Sequence, residues 1–392
     1  MKKGWESKTL GNVCEVIAGQ SPEGKFYNFE GRGMPFYQGK KDFGEKFIEP
    51  PTTWTTETTK IACEGDILMS VRAPVGPVNF ATKEVCIGRG LAVIRCGKEI
   101  DRNFLFYQLL QLQPEIAGKQ GAVFASINKS EIAALPIAFA PLAEQQRIVA
   151  VLDEAFAGLA VAQANAEKNL QNACALFESH LQSVFTQRGN GWVEKPLETV
   201  SAILNGYAFK STDFSPSARA KCIKITNVGV RQFVCESDGY LPSSFSKEYC
   251  AVAVQKGSIV MALTRTIIAG GLKVAVVPQE YDGALLNQRV AAIQTNDKLL
   301  GAAFLFAYLS TQTVADYVKA RVNTLMQPNL SIADLRAMPI PVPPRGEQQT
   351  ITDKLDALAT ETQRLKRLYE QKQAALTELK KSLLHQAFHG EL

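Results

Sequence analysis

The strongest constraint on this chain is that it spells out one framework twice. A Gly-Trp-x-x-x-x-Leu-x-x-Val run at Trp5 returns at Trp192, and the glycine that follows each, Gly19 and Gly206, keeps the same offset of 187 residues. Glu64-Gly65-Asp66-Ile67-Leu68-Met69 is echoed by Lys256-Gly257-Ser258-Ile259-Val260-Met261, and Phe104-Leu105-Phe106 returns as Phe304-Leu305-Phe306. Each copy closes alike. Leu135-Pro136-Ile137, Pro141 and Glu144-Gln145-Gln146-Arg147-Ile148 face Met338-Pro339-Ile340, Pro344 and Glu347-Gln348-Gln349-Thr350-Ile351, now 203 residues apart. A growing offset means one framework whose loops differ in length, as expected of duplicated units with separately specialised loops. Two copies are too few for a solenoid, so each reads as a domain with an appendage.

The appendages read as helices. From Glu144 to about Gln187 no proline occurs, and apolar residues fall three and four apart at Ile148, Leu152, Ala155, Leu159, Ala162, Ala166, Leu170, Ala173, Phe177, Leu181 and Val184. From Glu347 to about Phe388 the stripe is Ile351, Leu355, Leu358, Leu365, Leu368, Leu376, Leu379, Leu383 and Ala387. The prolines just ahead of each mark abrupt starts, and Glu144 and Glu347 stand where the helix dipole favours negative charge. A one-faced helix of this length needs a partner for its apolar seam, and the two are expected to pack antiparallel on each other. The globular segments alternate short β-rich runs with turn clusters and one apolar helical stretch, near Phe104 to Leu112 or Phe304 to Leu309. The expected fold is α+β, with two duplicated mixed domains at 1–140 and 191–340 and two long antiparallel coiled-coil helices at 141–190 and 341–392.

Chemistry is hard to find. The three histidines, His180, His385 and His389, all fall in or at the end of the helices, without a carboxylate or cysteine at metal-binding spacing. The eight cysteines lack a C-x-x-C pair and read as buried, reduced thiols. Gly88-Arg89-Gly90 has neither the Lys-Ser/Thr of a phosphate loop nor the strand–helix setting of a dinucleotide site. No run approaches the ~18 apolar residues of a membrane span, and the first residues lack a secretory apolar stretch, so a soluble, cytoplasmic protein without membrane attachment is expected. The chain reads as a binder, and a duplicated binder suggests a two-part ligand.

Polar, basic and aromatic residues gather in corresponding loops. In the first copy these hold Ser21, Lys25, Gln38, Lys40, Lys41, Arg72 and Arg89; in the second, Tyr207, Lys224, Asn227, Arg265, Asn287, Gln288 and Arg289. Arginine, asparagine and glutamine are the side chains that read base edges in the major groove, while lysine and serine suit phosphates. The net charge of +5 is modest, from 43 basic against 38 acidic residues. It is unevenly placed: 1–140 has 17 basic against 15 acidic and 191–340 has 15 against 11, whereas 141–190 has 3 against 5 and 341–392 has 8 against 7. The excess sits on the globular segments.

The duplicated Pro-x-x-Glu-Gln-Gln-x-Ile helix starts, together with Tyr37–Gly44, Gly65–Gly76 and Ile87–Ala92, resemble the specificity subunit of type I restriction-modification systems. The resemblance covers nearly the whole chain. It implies two target recognition domains, each reading half of a bipartite sequence in double-stranded DNA and held apart by the family's two helices. It implies a non-catalytic subunit, partnered by two DNA methyltransferase subunits that bind S-adenosylmethionine and by restriction subunits that translocate with ATP and Mg. Those cofactors belong to the partners; none is expected here. Divergent loops in the second copy point to two different half-sites, hence an asymmetric target. A helix of ~40 residues spans ~60 Å, or ~17 base pairs, so the helices would set the spacer. The alternative is a two-headed DNA- or protein-binding scaffold of a related methylation-based defence system. A fused methyltransferase is disfavoured, since no [DN]-P-P-[FYW] tetrapeptide occurs.

Overall fold

The computed structural model describes residues 4–118, 126–235, 239–322 and 329–392. The chain divides into two compact units, one of residues 1–167 and 370–392, the other of 168–369. The division falls inside both long helices, Leu142–Thr186 and Arg345–His389, each of 45 residues. A unit is therefore a sheet domain together with parts of both helices.

In the first unit an antiparallel sheet runs in the order Cys14–Ala18, Leu91–Cys96, Ile67–Ser70, Val78–Phe80. Ile67–Ser70 is buried throughout and Leu91–Cys96 over its first four residues, so both read as apolar runs rather than alternating ones. A second sheet holds Met34–Tyr37 parallel to Val85–Ile87, with Ile61–Ala62 on one side and the pair Trp54–Thr55 and Tyr27–Asn28 on the other. Glu6–Thr9 pairs antiparallel with Pro136–Phe139, joining the start of the domain to its end.

The second unit repeats this plan. Its sheet runs Ser201–Asn205, Val290–Thr295, Ile259–Ala262, Val274–Val276, beside Cys222–Ile223, Ala284–Leu286 and Ala253–Val254, again with one parallel pair. Val193–Pro196 pairs with Pro339–Val342. The copies differ in their helices and hairpins. Helix Arg102–Gly118 of the first becomes two helices in the second, Ala302–Leu309 and Gln312–Arg321, where the Thr311 hydroxyl accepts from the Val314 amide and starts a new helix. Only the second unit has the hairpin Ile267–Ile268/Gly271–Leu272 among the described residues.

Each core is closed by the start of one long helix and the end of the other. In the first unit Ile148 and Leu152 join Leu384, Ala387 and Phe388 around Phe104, Leu105 and Ile67. In the second, Leu355 joins Leu181 and Phe185 around Phe304, Leu305 and Ile259. A start meeting an end in both units makes the pairing antiparallel. The aromatic packing is copied too: Phe104 lies 6.1 Å from Trp5 and 5.1 Å from Phe388, while Phe304 lies 5.9 Å from Trp192 and 5.2 Å from Phe185.

Three expectations need correction. Leu368 and Leu379, assigned above to the seam, are each 47% exposed; the half-buried positions near them are Tyr369, Gln373 and Lys380, and the Lys380 ammonium lies 5.1 Å from the Phe156 ring centre. Long amphipathic stems cover such a seam while their heads stay in water. Secondly, Cys174, Cys235 and Cys250 are exposed, and Cys63 and Cys96 are only partly covered. Finally, Leu142–Thr186 is long and apolar enough, by length and composition alone, to cross a membrane. Its two ends complete the cores just described, so we read it as a packing helix.

Candidate nucleic-acid interface

In the first unit the central feature is the turn Gly88–Arg89–Gly90, which joins one strand from each sheet. Three loops close on it. The Gln20 amide donates to Ile87 O at 3.0 Å, the Gly88 amide to Tyr37 O at 2.8 Å, and the Val71 amide to Gly90 O at 3.0 Å. The Arg89 amide donates to the Ser21 hydroxyl at 3.2 Å. The approach is so close that a Cβ at Gly90 would lie 2.2 Å from Gln38 O and one at Gly19 would lie 2.2 Å from Gly88 O. Glycine is required by contact here, not by φ. Four residues singled out in the sequence, Ser21, Gln38, Arg72 and Arg89, thus belong to one cluster, with Gln38, Arg72 and Arg89 exposed. Lys40 and Lys41 follow Gln38 on an exposed 3-10 turn. Lys25 stands on another turn, where Glu23 at 2.6 Å answers its charge.

The second unit places Asn287–Gln288–Arg289 in the same frame. The Tyr207 amide donates to Leu286 O at 2.8 Å, the Asn287 amide to Ile223 O at 3.0 Å, the Leu263 amide to Arg289 O at 2.8 Å, and the Gln288 amide to Tyr207 O at 3.0 Å. A Cβ at Gly206 would lie 2.1 Å from Asn287 O, which explains the repeated glycine. Tyr207, Gln288, Arg289 and Arg265 are exposed, and Asn287 and Lys224 are partly covered. Tyr207 packs 4.6 Å from Tyr249 and 5.1 Å from Phe209, ring centre to ring centre. The Lys224 ammonium lies 3.8 Å from the Phe214 ring centre. Arg265 has φ +49°, an uncommon conformation for a side chain of its size. Burial and then the neighbouring Arg265 guanidinium hold the Lys273 ammonium below the usual lysine range, marking a local positive field.

Asn227 does not belong with these. It is 2% exposed, accepting from the Lys224 amide at 2.9 Å and donating to Val234 O at 2.8 Å. It staples a loop and has no free face for a ligand. Of the other candidates, Lys25 and Lys41 are paired with Glu23 and Asp42, whereas among the described residues Arg72, Arg89, Arg265 and Arg289 make no ion pair, a property they share with Arg102, Arg219, Arg321, Arg336, Arg345 and Arg367. By contrast, Arg32, Arg95, Arg147, Arg188, Arg231 and Arg364 are each paired with a carboxylate. A guanidinium left open on a rigid turn is available to an anion or a base edge.

Sequence reasoning missed why the Glu-Gln-Gln motif exists. Gln145 is fully buried; its amide nitrogen donates to Ala140 O at 2.7 Å and Glu99 O at 3.1 Å, and its oxygen accepts from the Asp101 amide at 2.7 Å. Gln348 donates to Pro343 O at 2.9 Å and Leu299 O at 3.0 Å and accepts from the Gly301 amide at 2.9 Å. Each glutamine ties the first turn of a long helix to the loop ahead of its domain's helix. It fixes the domain to its helix.

Two sheet domains, each presenting a clamped turn with open arginines and each anchored to the start of a long helix, define a duplicated recognition module on a helical support. The Type I restriction modification DNA specificity domain family matches residues 2–169 and again 190–374, and this chain belongs to that family. Over 148 residues, 37% of this chain, it is 45% identical to the putative type I restriction enzyme MjaX specificity subunit of Methanocaldococcus jannaschii, and that stretch is only 35% of the relative's length. The MjaVIII specificity subunit of the same organism is 24% identical over 90% of this chain and 86% of its own. Two solved structures share the fold. One, described as the "structural basis underlying complex assembly and conformational transition of the type I R-M system", covers 100% of this chain and 99% of its own, with a TM-score of 0.82 at 18% identity. The other, the HsdS subunit of Thermoanaerobacter tengcongensis, covers 100% and 98%, with a TM-score of 0.61 at 19% identity.

Proposed function

We propose that this chain is the DNA-reading subunit of a type I restriction-modification complex and performs no chemistry itself. Each sheet domain reads one half of a bipartite target in double-stranded DNA, and the long helices set the unread spacer. The observation that carries this is the clamped turn, built twice from equivalent hydrogen bonds and filled with different side chains. Equivalent frames suit two similar tasks; different side chains suit two different half-sites. The target is then asymmetric.

The length of the helices supports the spacing role. At ~1.5 Å per residue, 45 residues extend ~68 Å, which is ~20 base pairs at ~3.4 Å each. Successive major-groove faces recur every ~34 to 36 Å, so two domains on such a support reach grooves about two turns apart. Two methyltransferase subunits binding S-adenosylmethionine, and restriction subunits using ATP and Mg, would supply the chemistry in the cytoplasm. They would also supply phosphate contacts, which reconciles specific reading with a net charge of only +5.

The test is a map of modified adenines in the DNA of a host carrying this chain with its methyltransferase partner. A motif of two short defined blocks separated by a fixed undefined spacer is expected. One continuous block, or no modification dependent on this chain, overturns the reading.

A further inference from the structure

Three backbone contacts around Gly88–Gly90 recur around Asn287–Arg289. The amide of the first turn residue donates to Tyr37 O or Ile223 O, its carbonyl accepts from Leu91 or Val290, and the carbonyl of the third accepts from Val71 or Leu263. Gly19 and Gly206 press against the carbonyl of the first residue in each. Arg89 and Gln288 are therefore the same position of a duplicated frame, which alignment by residue type would not pair. Both are exposed. Among the described residues neither side chain makes an ion pair or a hydrogen bond, whereas both backbone amides are bonded, to Ser21 Oγ and Tyr207 O. A side chain free at its tip on a backbone fixed by hydrogen bonds offers its polar atoms to a ligand from a defined point of the frame.

Resting on the DNA-reading function above, we propose that this position determines one base pair in each half-site: Arg89 takes a guanine and Gln288 an adenine. The chemistry follows from the donor sets. A guanidinium offers two parallel N–H donors to guanine O6 and N7, and a carboxamide offers one donor and one acceptor to adenine N7 and N6. The third turn position cannot play the same part in both domains. In the first, Gly90 admits no side chain beside Gln38 O, while the second carries Arg289 there.

The test exchanges the two side chains, Arg89→Gln and Gln288→Arg, in the full chain assembled with its methyltransferase partner, followed by mapping of modified adenines. Arg89→Gln is expected to change one base pair of one half-site from G·C to A·T, with at least about a tenfold shift in relative modification. Gln288→Arg is expected to make the reverse change in the other half-site, all other positions being kept. Unchanged targets in both variants, or changes spread over several positions, overturn this inference while leaving the bipartite reading standing. A wild-type map without two blocks overturns the function itself. Unaltered thermal unfolding of both variants confirms that the exchange at exposed positions left the fold intact.

Discussion

A single buried glutamine fixes each recognition domain to its helix, and its removal should be costly. Gln145→Ala leaves the Asp101 amide and the Ala140 carbonyl without their partner, and each buried polar group left unsatisfied costs about 1–3 kcal/mol. A loss of about 2–5 kcal/mol in denaturant unfolding is expected for Gln145→Ala and for Gln348→Ala, whereas Gln146→Ala should be nearly silent. Tyr37 gives a pH-dependent counterpart. Its hydroxyl donates to Glu49 O at 2.7 Å, and burial, then Asp42 and Glu49, push its pKa up to about 12. Because the folded pKa lies above the ordinary value near 10, the folded chain holds a proton that the unfolded chain gives up. The stabilisation is complete below about pH 10 and is lost as pH rises toward 12. Alkaline titration of unfolding should show that loss, and Tyr37→Phe should remove this component of the slope. At this scale the sequence was partly legible. The exposure of Arg72, Arg89, Arg265 and Arg289 follows from their place on turns, but Asn227 could not be told from them, since asparagine serves a turn's own backbone equally well. The glutamines were visible as a motif, yet their role depends on carbonyls 5 to 49 residues away.

At the scale of elements, the helices were legible from period and proline placement, while the composition of the seam was not. Its stripe includes Tyr369, Gln373 and Lys380, side chains whose type argues for solvent, and excludes Leu368 and Leu379, whose type argues for burial. Choosing seam positions by hydrophobicity overrode the geometry. This separates two classes of substitution. Phe388→Ala, which empties the space beside Phe104, should cost about 3–5 kcal/mol, whereas Leu379→Ala should stay within about 0.5 kcal/mol. Equal losses at the two positions, measured by denaturant unfolding, would contradict the assignment of the seam. The break between Leu309 and Gln312 was out of reach, because Phe304 to Leu309 reads as the same apolar stretch in both copies and the restart depends on one hydroxyl cap.

For the whole molecule, the repeat announced the architecture, and the structure adds how the copies are closed. Each unit borrows the end of the long helix that began in the other, so the duplication is completed by the antiparallel pair rather than by the domains alone. What the sequence could not carry is the correspondence between loops: matching by residue type pairs Arg72 with Arg265 and Arg89 with Arg289. The backbone instead pairs Arg72 with Thr264, each bridged to an incoming segment at Ser126 or Asn329, and Arg89 with Gln288. The central claim, two readers held by a helical ruler, is tested most directly by lengthening the ruler. Three heptads, about 21 residues, inserted after Glu167 and matched by three after Tyr369, preserve the seam and add ~31 Å. That is ~9 base pairs, close to one turn of the duplex, so both domains should meet the same groove face as before. The map of modified adenines should then show both half-sites unchanged and a spacer longer by ~9 base pairs; both half-sites at the original spacing would contradict the account.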